Sequence, residues 1–311
     1  MTCLIKSNTT LLKRIASRAT TSVFGQYQSN YSTSTNNVYY KQQEPISLVG
    51  KNALVTGGSR GIGYGIAHEL AERGCNVTIL SRDETRGKEA LGSLPLTHQN
   101  QRHGNLVADL SSSNAPKQID SLLASLKSTT TTDDQQDSSS SSSSSSFDII
   151  VHAAGIAQSS LFMRTNPEET TSIINTNLVS PIYLTRQLIK PMVQSKWGRI
   201  IFIGSVVGSM GNKGQTIYGA SKMGVVGFST SLSKEVGSFG ITSNVVSPGY
   251  TETDMTASII QSPLASKILE KIPIGRFGHV NDISKTVMFI IESDYLTGQN
   301  IHVNGGLFTS P

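Results

Sequence analysis

Cysteine is scarce in this chain of 311 residues, which has Cys3 near its beginning and Cys75 further along. Secreted scaffolds held together by disulfides need several paired cysteines, so that class of protein is excluded and a reducing compartment is favoured. Apolar runs are short as well. None reaches the roughly 18 residues that cross a bilayer, and the sequence therefore predicts no membrane span.

Acidic residues are lacking from residues 1–43, which hold five of the 26 lysines and arginines. The other 21 basic residues balance 21 acidic ones, and this balance argues against a nucleic-acid-binding protein. On a helix, Leu11, Leu12, Ile15 and Ala19 share one face and basic residues take the other. This pattern is typical of a mitochondrial transit peptide and predicts location in the mitochondrial matrix. The alternative is a disordered leader.

Apolar residues are missing again from residues 128–146, which end in nine consecutive serines. Such a segment has nothing to bury, so it predicts a disordered Ser-rich insertion at the surface. It lies between a predicted helix (116–127) and a predicted strand (147–151), where it lengthens a loop and does not separate domains. We therefore predict one domain over residues 44–311.

The rest of the chain contains seven short apolar segments that alternate with helical patterns. This alternation predicts an α/β fold, a single Rossmann-type, doubly wound parallel sheet of about seven strands with helices on both faces. The predicted strands cover residues 52–55, 76–80, 105–109, 147–151, 199–203, 241–246 and 300–303. Helices are predicted at 62–73, 116–127, 167–179, 181–194 and 280–291, with another from about Thr216 and a mobile helical flap over 252–269.

A glycine-rich turn joins the first strand to the first helix and reads Thr-Gly-Gly-Ser-Arg-Gly-Ile-Gly over residues 56–63. Gly57 permits a tight turn, Gly61 lets the backbone approach a pyrophosphate, and Gly63 allows the helix to pack closely on the strand. A strand before the turn and a helix after it are the context that a dinucleotide site needs. The alternative is a purely structural turn.

The end of the second strand bears on the choice of cofactor. NAD sites place a carboxylate there, whereas this chain has Ser81 followed by Arg82, and Arg60 lies in the glycine turn. Two guanidinium groups fit a 2′-phosphate, so NADPH is predicted. NAD is the alternative, because Asp83 lies close enough to bind the ribose hydroxyl and Arg82 could simply be solvated. Asp109, at the end of the third strand, suits the adenine amino group, the N-cap of the next helix, or both.

Three chemically useful side chains follow the fifth strand. Ser205 lies just past its carboxyl end, where reactive groups of open α/β sheets are found. Tyr218 and Lys222 are four residues apart, hence on one face of a helix. An ammonium beside a phenol favours tyrosinate, so we expect Lys222 to lower the pKa of Tyr218 and fit it for proton transfer. Taken alone, a Tyr-x-x-x-Lys pair is also common on ordinary surface helices.

Residues from about Leu48 to Leu307 resemble the classical short-chain dehydrogenases/reductases. The motifs of that family occur here in order: Thr56-Gly57-x-x-x-Gly61-x-Gly63, Asn177, Ser205 and Tyr218-x-x-x-Lys222. Within the family, residues 204–208, 248–256, 272–278 and 296–298 are similar to the 3-oxoacyl-[acyl-carrier-protein] reductases, including mitochondrial and carbonyl-reductase-type members.

The resemblance implies a role for each of four residues. Ser205 binds the substrate carbonyl oxygen, and Tyr218 protonates it as hydride arrives from the nicotinamide. Lys222 binds the nicotinamide ribose and lowers the pKa of the tyrosine, and Asn177 holds a water that relays a proton to Lys222. Each donor points where negative charge develops in the transition state.

The resemblance also implies the partners. The cofactor is NADPH, the substrate is carried by acyl carrier protein, and a homotetramer or heterotetramer is the usual assembly; no metal site is implied. The implied cofactor-binding residues are Gly57, Ser59, Arg60, Gly61, Ile62, Gly63, Ser81, Arg82, Asp109, Ala153, Gly155, Tyr218, Lys222, Pro248, Gly249 and Thr251.

The chain departs from the family pattern at several positions. His152 replaces the usual asparagine at the end of the fourth strand and is followed by Ala153, which weakens a contact that stabilises the sheet near the adenine. Of two arginines that grip the carrier protein in bacterial members, one is matched by Lys196 and the other is replaced by Phe239. Docking of a carrier is thus less supported than the reduction itself.

Three functions remain open from the sequence. The first is NADPH-dependent reduction of 3-oxoacyl groups on acyl carrier protein in mitochondrial type II fatty-acid synthesis. The second keeps the chemistry and changes the substrate: a carbonyl or quinone reductase, or a 3-hydroxyacyl-CoA dehydrogenase. The third is a non-catalytic scaffold subunit of a hetero-oligomeric reductase, against which the intact set of four residues argues.

Overall fold

The computed structural model describes residues 46–128 and 146–309. The predicted transit peptide and nearly all of the predicted Ser-rich insertion lie outside the described residues. The described residues, which begin at Ile46, form one compact unit. Within the described ranges, no helix combines the length and the apolar character that crossing a membrane requires.

Seven strands pair in parallel into one sheet, in the order β3-β2-β1-β4-β5-β6-β7. This confirms the predicted fold. The order reverses between β1 and β4, which opens a crevice beyond their carboxyl ends. The strands are β1 Asn52–Thr56, β2 Asn76–Ser81, β3 Gly104–Val107, β4 Ile149–His152, β5 Gly198–Ile203, β6 Ile241–Pro248 and β7 Asn300–Val303.

Helices follow most of the strands and cover both faces of the sheet. They are α1 Gly61–Glu72, α2 Glu84–Gly92, α3 Ala115–Ser128, α4 Pro167–Ile174, α5 Ser180–Ser195, α6 Val206–Met210, α7 Thr216–Val236, α8 Ala257–Ile260, α9 Leu264–Leu269 and α10 Val280–Ile291. Single 3₁₀ turns cover Phe162–Arg164 and Gly237–Phe239.

Alternate residues of each strand feed two separate apolar layers, because successive side chains of a strand point to opposite faces. Ala53 and Val55 pack with α1 and α10 on one face, while Leu54 packs with α5 and α7 on the other. Burial on both faces explains why the strands are continuous apolar runs in the sequence. Packing of the two apolar layers holds the sheet in place, and the sheet in turn positions the loops at its carboxyl edge.

The structure corrects several predicted boundaries. The third strand ends at Val107, two residues before Asp109. The two helices predicted at 167–179 and 181–194 are joined without a loop by a π-helical turn over Asn175–Val179, a feature often found at functional sites. The predicted flap consists of α8 and α9, and the glycine-rich stretch after Ser205 contains the short helix α6.

His152, the residue that departs from the family pattern, is buried at the end of β4. One ring nitrogen, Nε2, lies 2.8 Å from Thr185 Oγ1 on α5, and the ring stacks on Phe202 of β5 with 4.8 Å between centroids. Burial lowers the pKa of His152 to about 3, so the ring is neutral at physiological pH. The histidine therefore ties the sheet to a helix.

Candidate active site

A cleft of about 540 Å³ opens at the carboxyl edge of the sheet, where the strand order reverses. The turn after β1 and the turn after β4 touch at its base. A Cβ atom on Gly57 would lie 2.8 Å from the backbone nitrogen of Ala154, which is closer than real Cβ atoms come. Only glycine permits this approach, and the approach shapes the floor of the cleft.

The glycine turn forms the wall above the start of α1. Gly57 and Gly61 have φ angles of +67° and +55°, and a Cβ on Gly63 would lie 2.2 Å from the carbonyl oxygen of Gly57. Arg60 occupies the N-cap position of α1, and its side chain makes no capping hydrogen bond. The first amides of the helix are thus left for a ligand, as at other anion sites on helix N-termini.

The sixteen residues predicted to bind the cofactor all line this cleft: Gly57, Ser59, Arg60, Gly61, Ile62, Gly63, Ser81, Arg82, Asp109, Ala153, Gly155, Tyr218, Lys222, Pro248, Gly249 and Thr251. Ser205 lines it as well. Residues that lie as far apart in the sequence as Gly57 and Thr251 are thus brought together at one edge of the sheet. Their individual roles stay predictions.

At one end of the cleft, the carboxylate of Asp83 is occupied by its own helix. Its Oδ1 accepts from Arg86 N at 3.1 Å, which caps α2, and Ser81 Oγ donates to the carbonyl oxygen of Asp83 at 2.8 Å. Asp109 accepts from the backbone and hydroxyl of Ser111, which lowers its pKa. Because α3 begins only at Ala115, the alternative of Asp109 as its N-cap is wrong.

The flap reaches across to the glycine turn. Arg60 Nη1 lies 3.0 Å from Asp254 Oδ2, and both side chains are more than half exposed. A Cβ on Gly61 would lie 3.4 Å from the side chain of Thr253. An arginine predicted to bind a cofactor phosphate is therefore engaged by a flap carboxylate.

At the other end of the cleft, Ser205 and Tyr218 come together. Ser205 caps α6 by accepting from Val207 N at 3.2 Å, which orients its hydroxyl beyond the end of β5. Burial raises the pKa of Tyr218, and a hydrogen bond with the Ser205 side chain opposes that rise. The pair presents two hydroxyl groups to one side of the cleft.

Lys222 lies one turn along α7 from Tyr218. Its Nζ donates to the carbonyl oxygen of Ile203 at 2.8 Å and is 5.6 Å from the centre of the Tyr218 ring. Burial lowers the pKa of Lys222 to about 8. The expected lowering of the Tyr218 pKa by Lys222 is wrong for this structure, because burial of the phenol outweighs other influences.

The chain matches known proteins over most of its length. Residues 51–263 match the family model described as short chain dehydrogenase. The chain is 42% identical to 3-oxoacyl-[acyl-carrier-protein] reductase FabG of Haemophilus influenzae over 265 residues, covering 85% of this chain and all of that protein. The FabG protein of Escherichia coli K12 is 40% identical, over 85% of this chain and 99% of its own. The chain belongs to the short-chain dehydrogenase family.

Solved structures agree with this assignment. A crystal structure of a candidate gluconate dehydrogenase from Agrobacterium tumefaciens superposes with a TM-score of 0.75 at 27% identity, covering 85% of this chain and 98% of that one. This short-chain dehydrogenase is thus an oxidoreductase acting on CH–OH groups. The family uses a nicotinamide cofactor, and the uncapped helix amides beside the glycine turn fit its pyrophosphate.

Asn177, the fourth residue of the family motif, stands behind the wall of the cleft. It lies in the π-helical turn, accepts from the backbone nitrogen of Ile156 at 3.0 Å, and donates to the carbonyl oxygen of Ile156 and to Ser221 Oγ, also at 3.0 Å. A Cβ on Gly155 would lie 3.3 Å from Lys222 Nζ and 3.5 Å from Asn177 Oδ1. Asn177 therefore fixes the loop next to the lysine, and its role in a proton relay stays a prediction.

Sequence reasoning missed two residues of this short-chain dehydrogenase. Arg86, in the first turn of α2, lines the cleft together with Arg82. Gln158 is 1% exposed and bonds to the first turn of α7. The sequence did contain a hint of the role of Gln158. The residue before Thr216 is Gln215, which is not one of the usual N-cap residues, so the helix needs an acceptor from elsewhere.

Proposed function

We propose that this enzyme uses NADPH to reduce 3-oxoacyl groups carried on acyl carrier protein to 3-hydroxyacyl groups, in mitochondrial type II fatty-acid synthesis. The observation that carries the proposal is the division of the cleft. Arg82 and Arg86 line it after β2 and Arg60 lines it after β1, whereas Ser205, Tyr218 and Lys222 line it beyond β5, three strands away from β2. The arginines would hold the adenosine end of a nicotinamide cofactor, and the hydroxyl groups of Ser205 and Tyr218 would lie beside its nicotinamide.

The chemistry at the second end suits a ketone. Hydride for the carbonyl carbon would come from a bound nicotinamide. The Ser205 hydroxyl donates a hydrogen bond to the carbonyl oxygen, and the Tyr218 phenol gives that oxygen its proton. A phenol whose pKa is raised by burial remains protonated at neutral pH, which suits a proton donor. Lys222, with donors to spare, binds hydroxyl groups of the cofactor and supplies positive charge near the developing alkoxide.

The preference for NADPH is supported by the surroundings of Ser81. The nearby carboxylate of Asp83 caps α2 and lies 3.7 Å from Arg86 Nε, so it is poorly placed to receive a ribose hydroxyl. Arg82 and Arg86 line the cleft here together with Arg60 of the glycine turn. This arrangement favours an extra phosphate on the ribose over a free hydroxyl.

The carrier protein is proposed from the names of the bacterial relatives, not from a docking site in this chain. Lys196 and Phe239 lie at the amino end of β5, since Lys196 is the C-cap residue after α5 and its carbonyl lies beside Gly240. Ser205 lies beyond the opposite end of that strand, about 20 Å away at 3.3 Å per residue. A tetramer, of one or two kinds of chain, is the assembly we propose.

Location in the mitochondrial matrix is proposed from residues 1–43 alone. Fusion of these residues to a fluorescent reporter should direct it to mitochondria, and a matched fusion with Lys13, Arg14 and Arg18 changed to glutamine should stay in the cytosol. Mitochondrial import of both fusions, or of neither, would contradict a transit peptide that acts through its basic face.

The decisive experiment is steady-state reduction of one 3-oxoacyl group presented on acyl carrier protein and on CoA, beside a simple quinone, with NADPH and then NADH. We expect the carrier-bound substrate with NADPH to give the highest kcat/KM. Equal or faster reduction of the quinone would replace the proposal by a general carbonyl reductase. Faster oxidation of a 3-hydroxyacyl-CoA with NAD would instead support the dehydrogenase alternative.

A variant separates catalysis from a scaffold role. Tyr218→Phe removes the phenolic hydroxyl and keeps the ring, so reduction should fall by at least about 10²-fold while NADPH binding persists. Full activity in this variant would refute the tyrosine as proton donor. A wild-type protein that binds no nicotinamide cofactor and reduces none of the substrates would support a scaffold subunit.

A further inference from the structure

The helix that carries Tyr218 and Lys222 begins without help from its own N-cap residue. Helix α7 starts at Thr216, and the side chain of Gln215 at the N-cap position makes no capping hydrogen bond. The amides of the first turn of a helix have no partners within the helix and need acceptors from elsewhere. Tyr218 lies in this first turn, so the group that caps the helix also fixes the position of the Tyr218 backbone.

Gln158, a residue of the loop after β4, supplies the missing acceptor. Its Oε1 accepts from Ile217 N at 2.9 Å and is 3.5 Å from Tyr218 N. These are the second and third residues of the helix, the two amides that an N-cap side chain usually satisfies. The cap thus comes from a loop 59 residues earlier in the chain.

The other end of the glutamine is anchored as well. Its Nε2 donates to Thr165 Oγ1 at 2.7 Å, and that hydroxyl donates to the carbonyl oxygen of Leu161 at 3.3 Å. The side chain is 1% exposed. Because both ends of the amide are engaged and water is excluded, the acceptor oxygen is held in one place.

We propose that Gln158 is a positioning residue for catalysis, which sets the Tyr218 phenol against Ser205 by capping the helix that carries the tyrosine. Gln158 does not line the cleft, so it acts through Tyr218 and touches neither substrate nor cofactor. The loop that bears it also holds Ile156, which pairs with Asn177. One loop therefore aligns two members of the catalytic group. This inference rests on the proposed role of Tyr218 as proton donor.

The test compares two substitutions of nearly equal size. Gln158→Met keeps the length of the side chain and removes the acceptor, whereas Gln158→Glu keeps an acceptor oxygen for the helix amides. Misplacement of a catalytic group by a fraction of an ångström is costly, so Gln158→Met should lower kcat by about 10- to 100-fold and leave KM for NADPH within about twofold. Gln158→Glu should recover most of the lost kcat.

A matched control removes the contribution of simple destabilisation. Val236→Ala trims a buried residue at the far end of the same helix. We expect it to lower Tm by an amount similar to that of Gln158→Met and to leave kcat unchanged. The proposal is overturned if Gln158→Met keeps kcat within about threefold of the wild type, or if Gln158→Glu loses as much as Gln158→Met.

A milder variant keeps the test available if Gln158→Met does not fold. Thr165→Val removes the anchor of the glutamine and leaves its acceptor in place, so kcat should fall several-fold at constant KM for NADPH; an unchanged kcat would overturn the proposal. The assay uses whichever carbonyl substrate the wild type reduces fastest. Failure of the proposed carrier substrate is then seen in the wild type, and failure of this inference is seen only in the variants.

Discussion

Strand β5 has a buried cation at each end. Arg199 is its second residue, at the amino end of the sheet, and is 1% exposed. Lys222, from α7, is 5% exposed and donates to the carbonyl of Ile203, the last residue of the strand. The two cations are thus buried to a similar degree and differ in their surroundings.

Arg199 is surrounded by acceptors. Its guanidinium donates to the carbonyl oxygens of Ile291, Gly198 and Gly240 at 2.8, 2.9 and 3.3 Å, and it lies over the ring of Trp197, 4.5 Å from the centroid. Burial lowers its pKa, but a guanidinium stays protonated in proteins. Three of its five N–H donors are therefore engaged, and they tie the start of β5 to the segments of Gly240 and Ile291.

Lys222 is surrounded by fewer hydrogen-bond acceptors. In the part of the chain that the structure describes, its ammonium makes one hydrogen bond, to Ile203, and otherwise faces the cleft and the ring of Tyr218. A buried charge with unused donors costs stability, and such a cost is retained where function needs it. Burial alone does not distinguish a structural cation from a functional one; the number of satisfied donors does.

The largest effect should come from replacing Lys222, the cation with one hydrogen bond in the described part of the chain. Lys222→Met keeps the length of the side chain and removes its charge and donors, so kcat/KM should fall by about 10³-fold because ribose binding and charge stabilisation are lost together. Steady-state kinetics and circular dichroism would measure activity and folding. Arg199→Met, assayed on the folded fraction, is the control and should keep wild-type kcat. Retention of a tenth or more of the activity by Lys222→Met would refute the functional role.

The next effect should come from removing the satisfied cation. Arg199→Met removes the donor from the buried carbonyl oxygens of Gly198 and Ile291 and from the more exposed one of Gly240, and each buried unsatisfied group costs about 1–3 kcal/mol. We expect the free energy of unfolding to fall by roughly 3 kcal/mol, measured by urea denaturation. Arg199→Lys, which keeps the charge and fewer donors, should lose less. An Arg199→Met protein as stable as the wild type would show that the contacts of Arg199 add nothing.

The two cations should also differ in their response to pH. The pKa of Lys222 is about 8 when folded, below its value of about 10.4 in an unfolded chain. The unfolded state therefore binds more protons between these values, and stability rises with pH across that window. Below about pH 8, Lys222→Met should be the more stable protein, by up to about 3 kcal/mol, and the difference should shrink as pH approaches 10.

The Arg199 comparison supplies the control for this pH series. Arg199 keeps its charge throughout, so the difference in stability between wild type and Arg199→Met should stay constant from pH 7 to pH 10. Unfolding of the cofactor-free protein would be followed at each pH. A Lys222→Met difference that does not change with pH would show that Lys222 has no lowered pKa in the folded state.

The sequence predicts most of what regular periodicity and spacing control. Alternation of apolar runs with helical patterns predicted seven parallel strands, and the four-residue spacing of Tyr218 and Lys222 placed them on one helix face. The strand of Arg199 was predicted, but the arginine itself read as an ordinary strand residue. Two of its three carbonyl partners, Gly240 and Ile291, lie far from it along the chain, and no local pattern reveals them.

What the sequence did not predict depends on contacts between distant segments. The cap that Gln158 provides joins residues 59 positions apart, and the π-helical turn over Asn175–Val179 leaves no composition signal. The direction of the Tyr218 pKa shift was wrong because spacing gives the neighbouring charge and says nothing of burial. The pKa shifts of buried groups therefore depend on the three-dimensional structure.

The smallest effect should come from an exposed cation, Arg60, whose partner Asp254 sits on the flap. Exposed pairs contribute little, so Asp254→Asn should change the free energy of unfolding by less than about 0.5 kcal/mol. It also frees Arg60, and KM for NADPH should fall about two- to threefold while KM for NADH stays the same. Arg60→Gln, the matched variant, should raise KM for NADPH alone. Equal changes in KM for both cofactors would mean that the Arg60–Asp254 pair affects the position of the flap and not binding of the 2′-phosphate. Arg60 would then differ from the two buried cations in acting through the flap.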